Sequence, residues 1–287
     1  MSDDFFSGVE QVDARVCDVE VKIPWFWRKS SGFMGVFPAN LLRLKRFLPD
    51  KRFVPAQVFP GVGAIQLAAF EHKEDPVPPY NEIMMAIALN SPFFQPIPGY
   101  NLLRQMLQMY YYPYVFHMPV TTEAAMRAGV DYYNYPKFVV PIDITRSDEW
   151  VTCESKEEGD LICRLRGRKI PARRSGTMKF LFHMYHNRHP QVAESEVNAQ
   201  QYALSFNPSN VELTLGSSHP IATELSQLLL STKALIYMYV PSFQAIVHGP
   251  EHMSLQLLKF CLEKGIDISY ERMKEEELLS KTGKDRA

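Results

Sequence analysis

Apolar residues in this sequence arrive in short bursts, and that spacing dictates most of what the chain can become. Residues 64–70 and 81–89 are nearly continuous apolar runs of strand length, the second bounded by prolines. Further strand-like runs follow at 109–120, 137–144, 150–154, 160–166, 177–186, 211–215, 234–240 and 245–248. Turn-forming residues separate them, and Glu157-Glu158-Gly159-Asp160 is the plainest hairpin signal. At period two, Glu82 shares a strand face with Met84, Ala86 and Ala88. Helical spacing is confined to short pieces. Over 38–49, Leu41, Leu44, Phe47 and Leu48 repeat at helical intervals, Asn40 helps cap the start and Pro49 stops it. Residues 91–109 are punctuated by proline and glycine, then partly helical through Leu102, Leu103, Met106 and Leu107, as a surface excursion over the core. Thr121 or Thr122 caps another short helix through Ala128, which Gly129 is placed to close. Residues 250–264 form an amphipathic pattern closed by Gly265. Together these predict an α+β chain in which an antiparallel barrel or sandwich carries a few helices.

Charge and composition narrow the partners. With 31 Lys+Arg against 32 Asp+Glu, the net charge of -1 argues against a general polyanion binder and predicts no nucleic-acid partner. The one basic cluster, Arg164, Arg166, Arg168, Lys169, Arg173 and Arg174, faces an acidic run from Asp148 to Asp160 that can compensate it across a hairpin. No apolar run reaches the roughly 18 residues of a membrane span, so no membrane partner is expected. The acidic start, Met1-Ser2-Asp3-Asp4, does not read as a signal peptide, and a cytoplasmic location is the resulting expectation. Cys17, Cys153, Cys163 and Cys261 are scattered, as buried free thiols would be. His183, His186 and His189 are spaced by three, but the apolar neighbours of the first two favour a strand, which puts those two on opposite faces. No metal site and no cofactor are expected.

The most informative stretch is Ala124-Ala125-Met126-Arg127-Ala128-Gly129-Val130-Asp131-Tyr132-Tyr133-Asn134-Tyr135-Pro136-Lys137-Phe138. It leads a short helix through an aromatic turn to a single lysine entering an apolar strand. An amine attacks a carbonyl only when neutral, and at its reference pKa only about one lysine in a few thousand is neutral at pH 7. Burial beside Tyr135, Phe138 and Val139 would disfavour the ammonium and so make a nucleophile without metal or cofactor. The plain alternative is a lysine whose stem lies on the sheet while its amine reaches water. For Glu82 the corresponding alternatives are a pocket carboxylate and a solvated strand-edge one.

Pro79-Tyr80-Asn81-Glu82 before an apolar strand, followed by the Tyr135-Pro136-Lys137 segment, resembles two motifs of the acetoacetate decarboxylase family, in the same order and at a similar distance. The helix over 38–49 and the strand pair over 234–248 resemble that family at the level of pattern. The resemblance spans about residues 20–250. It implies one α+β domain over residues 1–287, with a curved antiparallel β-barrel core at about 20–250, a helical extension over 250–287, and assembly into a homo-oligomer. It also implies that Lys137 forms a Schiff base with a β-keto acid, whose carbon dioxide leaves while the iminium takes up the electrons. Glu82 then matches an active-site carboxylate that moves protons or orients the substrate. Arg28 lies near the position of the family's carboxylate-binding arginine, with Lys29 as a substitute. Phe138 stands where the decarboxylase has a second lysine, and Leu67 or Gln66 where it has a second carboxylate. Those departures leave imine chemistry in place and keep open aldol addition or dehydration by the same amine, or simple binding of a small carbonyl compound.

Overall fold

The computed structural model describes residues 3–16, 19–74, 77–92, 95–186 and 189–248. A short 3-10 turn (Asp3–Phe6) precedes a hairpin of β1 (Val12–Val16) and β2 (Val19–Ile23), followed by the long strand β3 (Trp25–Asn40) and the helix α1 (Leu41–Phe47). Strands β4 (Val62–Glu74) and β5 (Tyr80–Ala88) lead to α2 (Tyr100–Gln108), β6 (Tyr110–Tyr111), β7 (Pro113–Val120) and α3 (Glu123–Tyr133). Then come β8 (Lys137–Val139), β9 (Ile142–Arg146), β10 (Trp150–Glu157), β11 (Asp160–Arg168), β12 (Arg174–His186) and β13 (His189–Ser205). The order ends with β14 (Val211–Leu215), α4 (Pro220–Leu228) and β15 (Ile236–Val247).

Nine strands form one sheet in the order β6-β12-β13-β15-β3-β4-β5-β7-β8, and a further pairing of β12 with β7 joins its two ends into a ring. The α+β expectation holds, but the sheet is mixed rather than antiparallel, because β12 runs parallel to β6 and β7, and β7 parallel to β8. The β7–β8 pairing is parallel because α3 intervenes and turns the chain back, which a tight hairpin cannot do. A second sheet, β14-β11-β10-β9, packs over the ring. Its Val151, Cys153, Ile162, Leu165 and Leu213 share one apolar core with Phe33, Phe37, Ile65 and Met85 of the large sheet. Cys153 and Cys163 are buried free thiols there, and burial pushes Cys163 up to about 12.

Local chemistry explains the boundaries. Asn40 accepts from the Arg43 amide to start α1, as its side chain predicts. Glu158 and Gly159 both take positive φ, which makes the tight hairpin between β10 and β11. Residues 137–144 split into β8 and β9 around Pro141, whereas 234–248 form one bulged strand, β15. The helix predicted over 250–264 lies outside the described residues. In α2 the buried residues are Asn101 and Gln105, while Leu103 and Leu107 face outward. The two amides are held inward because they bond the Gln95 and Leu89 carbonyls. Arg164, Arg166 and Arg168 pair with Glu154, Glu212 and Glu149, as charge compensation across the small sheet requires. Among the described residues no helix is long and apolar enough to cross a membrane.

Candidate active site

The site is built where β5, β7 and β8 lie side by side. Thr122 caps α3 by accepting from the Ala125 amide, and the helix runs past Gly129 to Tyr133. Asn134, in the left-handed conformation, closes it through bonds from its amide to the Gly129 and Val130 carbonyls. Gly129 is therefore not the cap. A β-carbon built there would lie 2.3 Å from Cδ and 2.6 Å from Cε of Lys137. The missing side chain is the slot in which the lysine stem lies. Tyr135 then bonds back to the Gly129 carbonyl, and the Met118 amide bonds the Pro136 carbonyl, so Lys137 enters the sheet beside Met118.

Lys137 Nζ donates to Glu82 Oε2 at 2.7 Å, with side-chain exposures of only 3% and 2%. Glu82 comes from β5, where it sits opposite Phe70 on one side and Val120 on the other. Strand alternation sends Glu82 and Met84 into a cavity and Ile83 and Met85 into the main core. The bland readings of both residues, a solvated amine and a solvated carboxylate, are thereby set aside. Phenol rings flank the amine, Tyr80 at 5.4 Å and Tyr135 at 5.9 Å from Nζ to the ring centres. Burial, and then the Glu82 charge, push the Tyr135 phenol far above its usual range, so it stays protonated.

The cavity holds about 90 Å³ and is walled by Trp25, Trp27, Phe70, Tyr133, Phe182 and Phe243, among others. Five methionines also line it: Met34, Met84, Met118, Met178 and Met238. Trp25 and Trp27 of β3 point inward, which leaves Phe26 and Arg28 on the opposite face. Arg28 is exposed there, its guanidinium 5.0 Å from the Phe6 ring and 5.7 Å from that of Phe26. It does not line the cavity with Lys137 and Glu82, and Lys29 instead pairs with Glu74. Phe138 alternates away from the pocket to pack on the main core beside His117. Gln66 and Leu67, the sequence candidates for the second carboxylate position, lie four and three residues before Phe70, the residue opposite Glu82.

One polar neighbour is not among the sequence candidates. His72, on the same face of β4 as Phe70, is fully buried between Trp27 and Tyr80, with ring centres 4.2 and 4.6 Å away. Its Nδ1 is 2.9 Å from Ser30 Oγ. Burial first, and the Lys137 charge second, hold it well below the ordinary histidine range, so the ring is neutral. The only sequence signal was the alternation of Phe70 and His72 beyond the apolar run. His183 is equally buried, packed edge-on against Phe53, and burial brings it down to about 4. Among the described residues no group of three potential metal ligands gathers.

No protein-family profile and no curated protein matches the sequence. Solved structures do match the fold. Acetoacetate decarboxylase from Legionella pneumophila superposes with a TM-score of 0.57 at 9% identity, over 86% of this chain and 93% of that one. A second acetoacetate decarboxylase gives 0.52 at 12% identity, over 79% and 87%. The enduracididine biosynthesis enzyme MppR gives 0.53 at 14% identity, over 79% and 86%. The chain thus has the acetoacetate decarboxylase-like fold.

Proposed function

We propose that the protein is a Schiff-base lyase in which Lys137 is the nucleophile and Glu82 its proton partner. The observation that carries this reading is the 2.7 Å contact between the two groups inside an apolar cavity. A buried ion pair is expensive to desolvate, and transfer of one proton from Nζ to Oε2 removes both charges at once. The free amine then adds to a carbonyl carbon. The addition moves one amine proton onto the carbonyl oxygen, Glu82 returns the second, the oxygen leaves as water, and the nitrogen–carbon double bond carries the positive charge.

Two outcomes follow from that iminium. With a β-keto acid, the bond to the carboxylate breaks, its electrons enter the enamine and carbon dioxide departs, as the decarboxylases of this fold suggest. With another carbonyl compound, the enamine carbon reacts with an aldehyde, or water is lost. A structure of MppR holding the condensation product of pyruvate and imidazole 4-carboxaldehyde supports keeping this second reaction in view. Imine formation in water enriched in oxygen-18 exchanges the carbonyl oxygen, so a panel of ketones and keto acids should show catalysed exchange. Exchange no faster than with Lys137→Met would sink the proposal, and carbon dioxide release would separate the two outcomes.

A further inference from the structure

We infer that the chamber above Lys137 accepts an uncharged, extended carbonyl compound, an aliphatic or aromatic ketone or aldehyde, rather than a keto acid. This rests on Lys137 as the imine-forming amine and adds the class of its substrate. Among the described residues the exposed wall is almost entirely carbon and sulfur, and its lining residues add the Ser195 hydroxyl and the buried Trp25 and Trp27 indole N–H groups, neutral donors that do not offset a carboxylate's charge. Among the described residues that line the chamber, Lys137 is the one cation, and Glu82 already occupies it. A substrate carboxylate would have to leave water, sit near the Glu82 carboxylate and find no guanidinium, because Arg28 lies on the outer face of β3. Desolvating an unpaired carboxylate weakens binding on the order of 100-fold or more.

The same walls favour an apolar chain. The five methionines are flexible and polarizable, so they can close around chains of different shape, and Trp25 and Trp27 add aromatic wall. Phe180, Val197 and Val240, all half-buried, extend the apolar lining. A 90 Å³ space exceeds what one water needs but is smaller than a six-carbon ketone, so the longer chains need the flexible methionines to give way. With an uncharged carbonyl the iminium has no carboxylate to release. Its α-carbon–hydrogen bond breaks instead. The proton passes to the Glu82 carboxylate, and the electron pair becomes the enamine double bond as the iminium collapses to an amine. The enamine carbon then takes back a proton or attacks an aldehyde, which makes the reaction class aldol-type.

The test measures binding of 2-butanone, 2-hexanone, 2-octanone and 7-oxooctanoate by the fluorescence of Trp25 and Trp27. It is run on the wild type and on the Lys137→Met/Glu82→Gln variant, which keeps the chamber neutral. Each methylene should tighten binding about fourfold, so 2-hexanone should bind roughly 15-fold more tightly than 2-butanone in both proteins. The acid, 7-oxooctanoate, should bind at least about 100-fold more weakly than 2-octanone. Val240→Arg, at a half-buried lining position, should recover about 10-fold or more of the acid's affinity. Flat affinity along the ketone series, an acid that binds as well as the ketone, or no gain from Val240→Arg would overturn the inference. Borohydride trapping with these ligands and with pyruvate and acetoacetate separates the two ideas. Adducts formed with pyruvate or acetoacetate in preference to the ketones leave the amine's role standing and remove the substrate class. A steep ketone series without any adduct does the reverse.

Discussion

Gly129→Ala is the sharpest perturbation of the site, because it adds one methyl group at a single crowded point. Gly129 sits inside α3 with no positive φ, so the backbone accepts alanine, and the helix alone would gain about 1 kcal/mol. The new carbon would stand 2.3 Å from Cδ and 2.6 Å from Cε of Lys137. Ordinary carbon–carbon contact is about 3.5 Å or more, so the lysine stem must retreat by roughly 1 Å. Overpacking of this kind costs about 1–3 kcal/mol, which the helix gain partly offsets. Global stability should therefore fall by no more than about 2 kcal/mol. The 2.7 Å bond to Glu82 cannot survive the same displacement. A misplacement of about 1 Å at a reacting atom costs on the order of 100-fold in rate. Oxygen-18 exchange and thermal unfolding, measured together, separate the two effects. Wild-type exchange in a folded Gly129→Ala protein would refute the claim that this slot positions the amine.

Other perturbations read different parts of the site. Lys137→Met should leave Glu82 buried without its partner and cost about 3–5 kcal/mol, most of which Lys137→Met/Glu82→Gln should restore; equal denaturation midpoints for the two variants would contradict the buried pair. Glu82→Gln keeps the shape and loses the proton acceptor, so oxygen exchange should slow by about 10²–10⁴-fold while ketone binding persists, as fluorescence titration would show. His183 is held down to about 4, so the unfolded chain binds its proton first as pH falls from about 6.5. The stability that neutral His183 contributes is present above that pH and is lost on the way down to about 4, and His183→Met should flatten this acid limb in urea titrations. Gly159→Ala, at φ 91°, should cost about 1 kcal/mol yet leave oxygen exchange untouched, a control for damage remote from the cavity.

Much of the fold was legible because strand length and turn chemistry are local. The end of α1 before Pro49, the Glu158-Gly159 turn and the apolar run of β5 follow from neighbours in sequence. What was not legible depends on contacts between distant residues. The 17-residue β13 buries Glu194 and Ser195 as well as Val192 and Ala193, and so offers no apolar alternation to read. The strand β3 mixes Arg28, Lys29, Ser30 and Ser31 into its aromatic ends, which hid its length and the face Arg28 would take. Only the inward turn of Trp25 and Trp27 decides that face. In α2, bonds to carbonyls outside the helix outweigh the leucine stripe. Gly129 looked like a helix terminator, and its other use, making room for a lysine eight residues later, is visible only once α3 and β8 are in contact. Glu82 and Lys137 were found by motif, but their meeting across 55 residues is tertiary information.

The most direct measurement is peptide mapping after borohydride reduction in the presence of 2-hexanone and of acetoacetate. A nucleophilic Lys137 predicts one ligand-sized mass increase, confined to the peptide that contains Lys137 and missing from Lys137→Met. An unmodified Lys137 peptide across both ligands, or label spread over surface lysines, would contradict the account.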